Sequence, residues 1–189
     1  MTNWRLLLTA MLFFFLGGIA VLAFARKPFW MPIAPVGGGS PSWVEIAWPF
    51  PIDEWGRGKA FRCSASECGA EVRVYLRPKI GFCNCTSGVT DDDELDRISD
   101  FGLMGDGIVP VSAGNPIQVG SMQGRSRTYH IRQLGNDHLA LSTAFNNKCD
   151  VVVGTAIADH KNVVALQTLT LGFLNSDQVL GWANNELGR

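Results

Sequence analysis

Four cysteines, Cys63, Cys68, Cys83 and Cys85, stand in the pattern C-x4-C-x14-C-x-C, and a fifth, Cys149, stands alone far downstream. Oxidised, such a cluster forms disulfides, each worth about 2–4 kcal/mol through constraint of the unfolded chain. Reduced, four thiolates can hold a zinc ion at about 2.3 Å, or copper, and an easily reduced pair would make a thiol-redox centre. The spacing departs from the paired C-x2-C knuckles of a zinc ribbon. A structural disulfide staple is therefore the first expectation, and a zinc, copper or redox site at Cys63, Cys68, Cys83 and Cys85 is the alternative. Four cysteines allow three connectivities, of which a direct Cys83–Cys85 bond is the least favoured on geometry. Cys149, beside Asp150 at the mouth of a run of valines, reads as a small buried apolar residue and not as a nucleophile.

Other chemistry is thinly represented. His130, His138 and His160 stand in no nucleophile motif, and His130 alternates with Tyr129 and Ile131 so that it faces away from a core. The acidic run from Asp91 to Asp96 lacks the Asp-x-Asp-x-Asp-Gly order of a calcium loop. Gly102, Gly105 and Gly107 follow a helix signal, not a strand, so they do not make a phosphate-binding turn. With a formal net charge of −1, the chain carries no basic field for nucleic acid. No catalytic or cofactor-binding residue is assigned, and a non-enzymatic protein is expected. Six cations (Arg57, Lys59, Arg62, Arg73, Arg77, Lys79) precede six carboxylates (Asp91, Asp92, Asp93, Glu94, Asp96, Asp100), which read as two solvated surfaces attracting one another.

The elements that would position the sulfurs are mostly strands. Val72, Val74 and Leu76 alternate with Arg73, Tyr75 and Arg77, a period of two. Residues 59–85 read as a three-stranded meander whose third strand, Ile80–Cys83, returns Cys83 and Cys85 to the turn bearing Cys63 and Cys68, so that all four sulfurs meet. Thr90 with Asp93 three residues on marks a short helix that buries Leu95 and Ile98. Five strands are expected beyond it: Ile117–Met122, Thr128–Leu134, Leu139–Phe145, Asp150–Ala158 and Val163–Phe173. Turns are placed at Gly135-Asn136-Asp137 and Asn146-Asn147. Val179, Leu180, Ala183 and Leu187 line one face of a C-terminal helix between Ser176 and Gly188. The fold class is α+β, a mainly antiparallel sheet with a short internal helix and a C-terminal helix packed on one face.

Upstream, Leu6–Ala25 is an uncharged apolar run of 20 residues, roughly the length that crosses a 30 Å hydrocarbon core. It is read as a transmembrane helix, with a cleaved signal peptide as the alternative because Ala23-Phe24-Ala25 has the form of a cleavage site. Flanking charge, Arg5 against Arg26 and Lys27, does not set the orientation. The cysteines do, since disulfides persist outside the cytoplasm. The organisation expected is an anchor over 1–27, a Pro/Gly/Trp-rich linker and entry segment over 28–58, and one domain over 59–189. Trp43, Trp48, Phe50 and Trp55 are candidate partner-binding aromatics, which more commonly lie on their own domain's core. Together these features predict a single-pass inner-membrane protein of a bacterium, its soluble domain in the periplasm. It would touch the membrane through residues 6–25 and serve as an accessory that binds another envelope or membrane protein.

Overall fold

A computed structural model describes residues 41–159 and 162–188. The expected anchor, the first part of the linker and His160 lie outside the described residues. Among the described residues, no helix is long and apolar enough to cross a membrane.

The dominant element is one antiparallel sheet of eight strands. β1 (Val44–Ile46), β2 (Lys59–Cys63) and β3 (Val72–Lys79) run in sequence, followed in space by β8 (Asp150–Ala158), β7 (Asn136–Asn147) and β6 (Met122–Gln133). β6 is long enough for two short strands to share its outer edge, β4 (Asp106–Pro110) and β5 (Asn115–Val119). Helix α1 (Ala65–Cys68) sits in the β2–β3 turn, α2 (Asp92–Ile98) and α3 (Phe101–Met104) follow β3, and α4 (Val163–Leu174) and α5 (Asp177–Leu187) close the chain.

β7 and β8 are buried almost throughout, so the sheet must be covered on both faces. On one face α4 and α5 bring Leu166, Phe173, Leu174, Val179, Ala183 and Leu187 onto Phe61, Val74, Leu76, Leu141 and Phe145. On the other, α2 sets Leu95 and Ile98 against Ala144, Val151 and Val153. Beside it, Trp48, Phe50 and Met104 cover Tyr75, Ala140 and Ile157. The expectation of helices on one face is corrected: a central pair of strands apolar on both sides needs two covering layers.

Three local expectations are also corrected. Ile80–Cys83 is not a strand; Gly81, at φ 68°, turns the chain away, and the valine-rich β8 takes the place beside β3. Val163–Phe173 is not a strand but helix α4, where the Asn162 carboxamide accepts from Ala165 N–H at the start and Leu166, Thr170, Phe173 and Leu174 form a helical buried stripe. Ile117–Met122 is two strands joined at Gly120-Ser121, a two-residue hairpin with Val119 opposite Met122. The sheet also begins before Lys59, since Val44–Ile46 pairs with Ala60–Arg62. The two turns are also displaced: Asn136, Asp137, Asn146 and Asn147 are paired residues of β7, and the chain reverses at Leu134-Gly135 and Lys148-Cys149. The helix readings hold: α2 buries Leu95 and Ile98, with Asp91 instead of Thr90 at its cap, and α5 follows Ser176.

The covering layer on the α2 face is fastened by charge. Arg77 donates from Nε to Asp100 at 2.9 Å and from a terminal nitrogen to the same carboxylate, and its other terminal nitrogen reaches Asp53 at 2.6 Å. Lys79 lies 2.9 Å from Asp100 and donates to the carbonyl of Ile98 at 2.7 Å, with Trp55 and Phe82 over its ammonium. Arg77, Lys79 and Asp100 side chains are only 3%, 6% and 5% exposed, so these ions form a buried cluster, not the solvated surfaces expected. A second set joins α2 to β6: Arg125 pairs with Asp92, and Arg127 with Asp96 at 3.0 Å, while the Tyr129 hydroxyl donates to Asp96. The hydrogen bond from Arg77 holds Asp53 below the ordinary Asp value of 3.8, and those from Arg125 and Gly114 N–H do the same for Asp92.

Replacing Asp100 by Ala leaves the buried Lys79 without a carboxylate and Arg77 with Asp53 alone; a loss of about 3–5 kcal/mol in urea unfolding is expected. Asp53 and Asp92 titrate below their unfolded value, so their contribution is complete above about pH 4 and is lost as pH falls through the folded values. The urea midpoint should therefore drop on acidification below pH 4, and Asp92→Asn should flatten that drop.

Candidate functional site

The sulfurs do not meet. Cys63 is bonded to Cys68 across the β2–β3 turn, and Cys85 is bonded to Cys149 at the β7–β8 turn. Cys63 lies opposite Val72 at the start of β3, whereas Lys79 at the end of β3 lies opposite Val151 near the second bond. The two staples thus hold opposite ends of the sheet, because the missing third strand never carries Cys83 and Cys85 back. Cys149, expected to be an inert buried residue, is a disulfide partner, and Cys83 is the free thiol. With three of the four clustered sulfurs in disulfides, a four-thiolate ion site does not assemble. Among the described residues, no group of three or more His, Cys, Asp and Glu side chains gathers as ligands.

Cys83 is buried, its thiol directed to the carbonyl of Lys148 at 3.2 Å. Burial first, then the negative charges of Asp150 and Glu94, push that thiol up, so it stays protonated and a poor nucleophile toward the neighbouring bond. The two described histidines make no shared site: His130 is exposed on β6, and His138 pairs with Asp159 at 3.0 Å. The four aromatics singled out in the entry segment are engaged within the domain. Trp43 stacks on Phe173 at 4.3 Å, Trp48 and Phe50 meet Tyr75 edge-on, and Trp55 meets Phe82 at 4.6 Å. Trp48 passes so close over Gly58 that a Cβ there would lie 2.6 Å from the indole.

What the Cys85–Cys149 bond does is fix a loop. Residues 81–90 leave β3 and cross the end of the sheet, tied down at every second or third residue. Gly81 N–H donates to Asp150 Oδ1 at 2.7 Å, and Cys83 N–H to the carbonyl of Cys149 at 3.1 Å. The Asn84 carboxamide accepts from Thr86 and Ser87, and its carbonyl accepts from Gly88. Gly88, at φ 63°, lies flat on Asn146, where a Cβ would stand 2.3 Å from the amide oxygen. Asn146 in turn accepts from Val89 N–H at 3.4 Å and donates to Lys148 O at 3.1 Å.

The pinned loop forms one wall of a cleft whose floor is the sheet. Two adjoining hollows of about 470 and 350 Å3 share Ser87, Gln123 and Asn146. Register sets Gln118 of β5 opposite Gln123 of β6, and Gln123 opposite Asn146 of β7, so three carboxamides stand side by side on one face. Ser87 and Thr90 face them from the loop, and Ser121, Lys148 and Asn184 extend the lining around the end of the sheet. Sequence reasoning missed this row and Cys149 alike. The available signal was Gly120-Ser121 between Val119 and Met122, a two-residue hairpin turn that makes Gln118 and Gln123 partners.

No family model matches the chain, and no curated protein matches it. Among solved structures it is similar to LpqN of Mycobacterium tuberculosis, described as involved in cell envelope biogenesis. The two share 10% identity over 75% of this chain and 84% of that chain, with a TM-score of 0.34. A likeness of that size carries nothing about activity or partners.

Replacing both Cys85 and Cys149 by Ala opens a link 64 residues apart in sequence, against 5 for Cys63 and Cys68. Loop entropy then predicts losses of about 4 and about 2 kcal/mol respectively. Urea unfolding of the two double variants measures the order, and the loss at Cys85/Cys149 should be the larger.

Proposed function

We propose that this chain is an extracytoplasmic, membrane-tethered accessory protein of the bacterial envelope that works by binding a component of that envelope. The cleft beside Cys85–Cys149 is its binding surface. The observation that carries this reading is the second disulfide, which locks one wall of the cleft to the turn at its other side. Disulfides persist in oxidising compartments, which supports a domain outside the cytoplasm, and the apolar run Leu6–Ala25 supplies the tether. The cleft lining carries no carboxylate or histidine and one cation, Lys148, so it is furnished to hold a ligand and not to move its protons.

The intact mass of the chain recovered from membranes tests this. Two disulfides should lower the mass by four hydrogens, one thiol should take up an alkylating agent after unfolding, and residues 1–25 should be retained. A fully reduced chain, with five alkylatable thiols, would overturn the assignment to the outside of the cytoplasm.

A further inference from the structure

We infer that the cleft takes a neutral saccharide, recognised through hydroxyl and acetamido groups. The inference rests on the binding reading above and goes on to name the class of ligand. Its starting point is the hydrogen-bonding capacity left over at the cleft. The side chains of Ser87, Ser121, Gln123 and Asn184 line it and make no hydrogen bond to another described residue. Gln118 donates to the carbonyl of Gly120 at 3.2 Å, which leaves its carboxamide oxygen available. Each of these groups except that oxygen both donates and accepts. Their complement is a molecule that does the same at several adjacent points without charge.

Charge excludes the other classes. An anion would find Lys148 alone, because Arg125 of the same face is engaged by Asp92, by Thr90 O at 3.1 Å and by Gly114 O at 3.1 Å. A cation would find no carboxylate on the lining. An extended peptide is captured chiefly by an open strand edge. At Gln123 the floor is closed, β6 being hydrogen-bonded to β5 on one side and β7 on the other, and the open outer side of β5 is a five-residue strand containing Pro116, which has no N–H to donate. Pro116, exposed on β5 on the same side as Gln118, adds an apolar edge beside the carboxamides, suited to the C–H face of a sugar ring or to an acetyl methyl. Gln118, Gln123 and Asn146 are carried by strands of a continuous sheet, so their positions are set before a ligand arrives. No aromatic ring lines the cleft, so binding by hydrogen bonds without stacking is expected to be weak and fast.

The test is a titration of the oxidised full chain, labelled with 15N in detergent, with N-acetylated chitotriose, cellotriose and a neutral capped tripeptide, each followed through the side-chain amide resonances. Saturable shifts of Gln118, Gln123 and Asn184 with a saccharide are expected. Gln123→Ala should weaken that binding about five- to tenfold, the worth of one neutral hydrogen bond. Asn184→Ala, an exposed change on a different element, should weaken it as well, which guards against a folding defect in the first variant. Absence of shifts at these amides with either sugar, or shifts with the peptide alone, would overturn the saccharide assignment. A peptide-only response leaves a binding cleft of another class, whereas failure of the binding reading itself would appear as a reduced chain in the mass measurement, whatever the titration shows.

Discussion

The carboxylate of Asp100 is the point on which the α2 face turns. It sits between α2 and α3, out of water, and receives both Arg77 and Lys79 from the end of β3. Arg77 reaches on to Asp53, so one buried anion and its two cations tie together the entry segment, the central sheet and the helical cover. Ions withdrawn from solvent are costly unless each has partners, and here the remaining donors find Asp53 and the carbonyl of Ile98. The aromatic pair Trp55 and Phe82 closes over Lys79 and keeps the site dry. Geometry this specific leaves the cover one place to sit, and with it the loop that leads into the cleft.

The cleft depends on that placement twice. Its wall is the segment between β3 and α2, gripped at one end by the Asp100 cluster and at the other by Asp92, which accepts from Gly114 N–H and Arg125. Its floor depends on register alone. A slip of one residue between β5 and β6 would move Gln118 and Gln123 to opposite faces of the sheet, and the hairpin at Gly120-Ser121 prevents it. Structure and chemistry meet in Asn146, which belongs to the amide row, accepts from Val89 N–H of the loop above it and donates to the carbonyl of Lys148 in the β7–β8 turn.

Much of the scaffold was legible from local pattern. The alternation of Val72, Val74 and Leu76, the buried pair Leu95 and Ile98, and the stripe of α5 all lie where periodicity puts them. Errors arose where a segment's fate is decided by distant partners. Ile80–Cys83 has strand-like composition, yet the place beside β3 goes to β8, which brings a longer run of valines from far along the chain. Val163–Phe173 is apolar on nearly every side, so its alternation of Leu and Thr imitates a strand; the capping Asn162 was the local sign of a helix. Disulfide pairing was beyond reach because Cys149 becomes a neighbour of Cys85 only once β7 and β8 have paired. The row Gln118, Gln123, Asn146 was hidden likewise, being a property of three strands in register and not of any one of them.

The placement of Cys83 has a consequence for disulfide pairing. The sequence offers two candidates, Cys83 and Cys85, for one distant thiol on Cys149. The short Cys63–Cys68 crosslink can close from local encounters, but nothing local discriminates between the competing pair. Native topology makes the choice: once Cys83 is shielded and hydrogen-bonded under the β7–β8 turn, only Cys85 remains on the outside to be captured. The native pairing is thus specified by the fold, since burial of one thiol, and not its place in the sequence, tells the two candidates apart.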